Sequence, residues 1–143
     1  MNLFEIDVDT SGLFRAMDQA VAAIERRTKA AAKDTADRVE RNAKQRVARA
    51  TGATAEGIHV EETYDGTGYV VLAWDQALAA KAWGAGATTR EYNIGKPQWL
   101  EFGTVHMSAR PFFFVSAEIE AAGHDRRMRE AIADGIEEVG LGR

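Results

Sequence analysis

The stretch SGLFRAMDQAVAAIERRTKAAAKDTADRVERNAKQRVARA, residues 11–50, decides the fold. It holds no proline and much alanine, the best helix former, so it reads as one long helix. Thr10, Ser11 and Gly12 precede Leu13 with side chains suited to an N-cap. Apolar or small residues recur at Phe14, Met17, Val21, Ile24, Thr28, Ala31 and Thr35, then at Val39, Ala43 and Val47. That three–four spacing keeps one seam toward a partner. At 1.5 Å per residue, about 37 residues span roughly 55 Å, longer than a compact domain of this size covers. Part of the helix is therefore expected to project or to pack on a neighbour, unless it breaks near Lys33 to Asp37. Thr51-Gly52 closes it, glycine being the usual residue beyond a helix end.

Downstream, residues 57–74 read as a β-hairpin. Ile58, Val60 and Tyr64 alternate with polar neighbours, and Asp65-Gly66-Thr67-Gly68 supplies the turn. The return strand from Tyr69 to Trp74 is apolar on both faces, so both are expected to be covered. Upstream, Leu3, Phe4, Ile6 and Val8 alternate with Glu5, Asp7 and Asp9, as in a strand or an arm that adds to a sheet edge. Residues 84–98 carry Gly84, Gly86 and Gly95 and read as a flexible loop. A second helix is expected to open near Arg110-Pro111 and to run through Val139, with a bend at Gly123. The expected fold is α+β: a long N-terminal helix and a C-terminal helix packed on a small antiparallel sheet. It forms a single domain over 1–143, with an arm at 1–10.

Composition bounds the function. The 143 residues include no cysteine, which excludes disulfides and thiolate metal sites. No apolar run approaches the roughly 20 residues of a membrane span. The net charge of −4 hides an asymmetry. Residues 26–49 carry nine Lys or Arg against Asp34, Asp37 and Glu40, a net +6 that leaves −10 elsewhere.

The most distinctive run is Trp99-Leu100-Glu101-Phe102-Gly103-Thr104, followed by Ala109-Arg110-Pro111-Phe112-Phe113. Gly103 suits a positive φ or a close backbone approach, and Thr104 or Ser108 could cap the helix that follows. Glu101 and Arg110 are spaced to pair across the turn, and Phe102, Phe112 and Phe113 supply a large apolar area. This pairing of elements resembles the tail-completion family of siphophages, also called minor tail or head–tail joining proteins. The likeness extends upstream through Ala43 to Val47, Thr51-Gly52 and Gly57-Ile58. It departs at Pro97-Gln98, where the family has Tyr-Ala.

The resemblance implies a non-enzymatic virion protein, assembled in the host cytoplasm into a neck ring, commonly of six copies. Such a ring completes the tail and joins it to the head. Its implied partners are further copies of itself, tail terminator or tail-tube proteins, and head-closure, adaptor and portal-side neck proteins. DNA passes through the channel without specific recognition, and neither membrane nor cofactor is implied. A tail terminator or head-closure subunit of the same neck is the near alternative. Subunit contacts are expected at Leu3, Phe4, Ile6 and Tyr92, and at Arg38 and Arg41. The last two belong to a basic helix that could meet Glu118, Glu120, Asp134, Glu137 and Glu138 of the next copy.

The same helix, residues 26–49, supports a rival reading as a DNA-binding module, without aromatic interleaving or a reader motif. Catalysis has little support. His59, His106 and His124 fall in no ligand spacing, Ser108 lacks a nucleophile-elbow context, and Glu101 has no second carboxylate in its element. No Gly-Lys-Ser/Thr follows the glycines of the loop.

Overall fold

The computed structural model describes residues 10–47, 53–73 and 97–140, which form an α+β fold. In chain order these are α1 (Ser11–Arg46), α2 (Ala53–Glu56), β1 (His59–Glu62) and β2 (Tyr69–Leu72). A short helix α3 (97–102) and the long α4 (Phe113–Glu138) follow. The expected contact residues Leu3, Phe4, Ile6 and Tyr92 lie outside the described residues, as do Thr51-Gly52, Trp74 and most of the 84–98 stretch. Residues 97 and 98 open α3.

α1 is continuous, with no break between Lys33 and Asp37. Its 36 residues span roughly 54 Å. The N-cap expected of Thr10 is made by backbone alone: its side chain forms no cap bond, and its carbonyl accepts from the Phe14 amide at 3.1 Å. α4 runs antiparallel to α1, since Glu138 meets Arg26 and Arg27, His124 meets Thr35, and Glu120 meets Asn42. Small residues let the two helices approach. At Gly135 a Cβ would stand 2.8 Å from the Ile24 side chain and 3.0 Å from its backbone. No side chain fits there.

A polar cluster fixes the register of this pair. The Arg127 guanidinium donates to Glu120 Oε2 at 3.1 Å and, through Nε, to Thr35 Oγ1 at 3.1 Å. Asn42 donates to the other Glu120 oxygen at 3.0 Å. Thr35 Oγ1 also bonds His124 Nδ1 at 3.1 Å. Arg127 and Glu120 are mostly buried, so a slip along the helices would strand both charges. α4 is uninterrupted at Gly123, and the missing side chain leaves room for the Arg127 guanidinium, which a Cβ would meet at 2.8 Å.

The core lies where the C-terminal half of α1, the hairpin, α3 and the start of α4 converge. Ala43, Val47, Ile58, Leu100 and Phe112 are buried there, with Val71, Met107 and Phe113 packed against them. The seam expected on α1 is only partly used. Val39, Ala43 and Val47 are buried, whereas Phe14, Met17 and Val21 at its N-terminal end stay half or more exposed.

β1 and β2 pair antiparallel, with Val60 opposite Val71 and Glu62 opposite Tyr69. Tyr69 and Val71 turn inward. Val70 and Leu72 remain exposed, so β2 is covered on one face among the described residues and not on both. Tyr64, expected on the apolar face, stands in the turn and is fully exposed. That turn is built around Asp65, which accepts from the Thr63 hydroxyl at 2.7 Å and the Thr67 amide at 3.1 Å. Gly66 has φ +69°, which a side chain would strain.

Two predictions follow the packing. A helical Gly→Ala change ordinarily stabilises by about 1 kcal/mol. Gly12→Ala, with nothing within 4 Å of the new Cβ, should gain stability, while Gly135→Ala should lose roughly 1–3 kcal/mol by driving the helices apart. Urea unfolding of both variants reads the two signs, and a stabilised Gly135→Ala chain would refute the close approach.

The second concerns pH. The Thr63 and Thr67 donors hold the Asp65 carboxyl down at about 2, from an ordinary 3.8. Because the folded value lies below the unfolded one, its contribution is full above 3.8 and is lost as the pH falls through about 2. Carboxyl titration by NMR should place Asp65 near that value, and Asp65→Asn should flatten this part of the acid-stability curve.

Candidate subunit interface

The corner between α3 and α4 is organised by Glu101. Its side chain is buried, and its carboxylate accepts three backbone amides from the start of α4. Phe112 and Phe113 donate to Oε2 at 2.8 and 2.9 Å, and Phe114 donates to Oε1 at 3.0 Å. The first amides of a helix have no partner within it and carry its positive dipole end. α4 has no acidic residue in its own first turn and no side-chain cap at Phe112. A carboxylate from the preceding helix supplies both.

The rest of the motif holds Glu101 in place. Gly103 ends α3 with φ +75°, its amide donating to the Trp99 carbonyl at 2.8 Å. A Cβ on it would meet Met107 O and Ala109 N, each at 2.8 Å, so the return strand of the turn passes directly over it. Thr104 and Met107 pair backbone to backbone, and the Arg110 amide donates to the Leu100 carbonyl at 2.7 Å. Pro111 needs no donor and stands just ahead of the helix.

Several expectations change here. Neither Thr104 nor Ser108 caps α4, because the Thr104 hydroxyl takes the His106 amide at 3.2 Å instead. Arg110 joins the corner through its backbone and forms no ion pair with Glu101. α4 opens at Phe113, two residues after Pro111. Leu100 and Phe112 are buried in the core, Ala109, Arg110 and Pro111 lie on the surface, and Trp99 is partly exposed.

Phe102 is 68% exposed and stacks in a tilted pair with Phe114, itself 54% exposed, at 5.9 Å between ring centres. Phe114 was not singled out from sequence. The signal was present nonetheless: three consecutive phenylalanines on a helix cannot all face one core, because each turns about 100° from the last. Ser116, also unremarked, is fully buried and donates to the Phe112 carbonyl at 2.5 Å.

A second apolar surface lies at the far end of the molecule. Leu13, Phe14, Met17 and Val21 share one face of α1 and are all half or more exposed. Further along α1, Ala20 and Ala23 are buried, and Gln19, Ala22 and Ala23 line a pocket with Glu138 and Val139 at the end of α4. Exposed aromatic groups gathered in patches, unlike scattered single ones, mark surfaces that bind.

The charge on α1 meets partners within its own chain. Arg26 and Arg27 both bond Glu138, whose carboxyl is held below its ordinary value first by Arg27 and then by Arg26. Lys29 pairs with Glu62, Lys33 with Asp37, Arg38 with Asp34 at 2.8 Å, and Lys44 with Glu40. Glu120 is engaged by Arg127. Of the acidic residues expected to meet this helix in a neighbouring copy, Glu138 and Asp134 pair with Arg26 and Arg27 of their own chain. Arg41 and Arg46 are exposed and form no ion pair among the described residues.

Nothing among the described residues converges as a catalytic or metal site. No group of three His, Asp or Glu could hold an ion. His59 bonds locally to the Gly57 carbonyl, His106 sits in the turn, and His124 bonds Thr35. No described helix is long and apolar enough to cross a membrane. Comparison with protein-family models, with curated protein sequences and with solved structures gave no match.

Because Glu101 satisfies three amides from a buried position, Glu101→Ala should cost about 3 kcal/mol. Thr104→Ala and Ser108→Ala should each stay within roughly 0.5 kcal/mol, as surface changes usually do. Denaturant midpoints compare the three, and equal losses would refute the capping role.

Proposed function

We propose that this chain is a structural subunit of the neck of a tailed bacteriophage, assembling into a ring that completes the tail and joins it to the head. It carries out no reaction. The observation that carries the reading is the 99–113 corner, where the residues of the tail-completion motif form one interlocked unit. Leu100 and Phe112 anchor it in the core, Glu101 caps α4, and Gly103 lets the turn close.

The corner also leaves Phe102 and Phe114 exposed at one end of the molecule, with the Leu13–Val21 face of α1 at the other. Two separated apolar surfaces on one protomer suit heterologous head-to-tail contacts, which close into rings. The DNA-binding reading is weakened, since most of the basic residues of α1 are already paired. Tail terminator and head-closure subunits would share the same contacts and differ in their level within the neck.

The test is location and mass. Gold-labelled antibody against the chain should mark the head–tail junction of particles, and labelling elsewhere, or none, would sink the proposal. Retention of duplex DNA at ~0.15 M salt would favour the nucleic-acid reading instead. Replacing both Phe102 and Phe114 by Asp should abolish assembly by native mass spectrometry while leaving the melting temperature within about 4 °C, because neither ring belongs to the core.

A further inference from the structure

Uncancelled charge differs in sign between the two ends of the molecule. At the end that holds the 99–113 corner, Arg41, Arg46 and Arg110 are exposed and form no ion pair among the described residues. The acids left unpaired there are Glu56 and Glu118, so that end keeps a positive excess. At the other end Asp18, Glu25 and Glu137 are exposed and unpaired among the described residues, against Arg15 alone. That end keeps a negative excess, because Arg26 and Arg27 are already engaged by Glu138 and Asp134.

Each end also presents apolar side chains to water. At the corner Phe102 and Phe114 stack on one another, and Val105 at the tip of the turn is fully exposed. The Arg110 amide bonds Leu100, two residues before Phe102. On α1, Phe14, Met17 and Val21 recur at the three- and four-residue spacing by which a helix face anchors a partner. Asp18 and Glu25 each stand four residues on from Phe14 and Val21, and so flank that face.

We infer that the Phe102–Phe114 corner of one copy docks on the Leu13–Val21 face of α1 in a second copy. The two surfaces cannot meet within one chain. From Val21 to Ala43, which packs in the core with Leu100 and Phe112, the continuous α1 rises about 33 Å. Pairing like ends would set negative excess on negative, or positive on positive. Unlike ends set the two excesses against each other, and exposed charges of this kind choose orientation more than strength. The apolar groups supply the contact, and its repetition is head-to-tail. This rests on the ring reading and names the two surfaces that would carry it.

The chain has no cysteine, so introduced ones report cleanly. Full-length Met17→Cys is oxidised alone and in mixture with Val105→Cys or with Phe102→Cys. Docking should raise the yield of a mixed disulfide at least roughly tenfold over any disulfide between like chains, through effective concentration. No mixed bond at either position, or like chains linking as well as unlike ones, would overturn the inference. Arg110→Glu should weaken association roughly two- to fivefold, and Asp18→Arg with Glu25→Arg in the same chain should restore it. Failure of that rescue would overturn the inference too. Native mass spectrometry of a chain carrying both Met17→Cys and Val105→Cys separates this contact from the ring. Closed oligomers larger than two without the mixed bond refute the contact and leave the ring, whereas the mixed bond in open chains keeps the contact and refutes the ring.

Discussion

Three backbone amides at the start of α4 have no partner inside their own helix, and the buried carboxylate of Glu101 takes all of them. Much of the structure follows from that contact. It fixes the angle between α3 and α4 and drives Phe112 into the core. It also sets the direction in which α4 leaves to run back along α1. A carboxylate is suited to this role because it offers several lone pairs and answers the positive end of the helix dipole. Burial is tolerable because every oxygen is hydrogen-bonded, and no buried side-chain polar atom among the described residues lacks a partner.

The long helix pair is stabilised differently at its two ends. Near the core, the contact is apolar and closes over Val39, Ala43 and Val47. In the middle it is polar, with Arg127, Glu120, Asn42 and Thr35 fixing register. Toward the C-terminus of α4 it narrows at Gly135 and ends in the Arg26–Arg27–Glu138 fork. Past the fork Ala20 and Ala23 are still buried, while Leu13, Phe14, Met17 and Val21 on the first turns of α1 are half or more exposed.

Among the described residues of the protein the buried polar groups are satisfied by backbone or by one another in fixed pairs, and the histidines lie on separate elements. Its ion pairs, mostly exposed and intramolecular, contribute little to stability individually. They do keep α1 from presenting an unbroken positive stripe.

The sequence by itself determined the elements. Alanine content and the absence of proline made α1, Asp65 and Gly66 made the hairpin turn, and Gly103 stopped α3, because each acts through the backbone of its own neighbourhood. It also marked residues 99–113 as a unit, since the glycine and the proline need fixed spacing to turn the chain. What only the tertiary structure decided was direction and partnership. Glu101 reaches amides eleven to thirteen residues away, which no local rule selects over Arg110, Thr104 or Ser108. Likewise, whether Phe14 or Phe102 is core or surface depends on where α4 ends and how α3 is tilted. Arg26 and Glu138 meet across 112 residues because the helices fold back antiparallel. Local propensity shapes each segment, but burial and pairing belong to whatever the rest of the chain brings alongside.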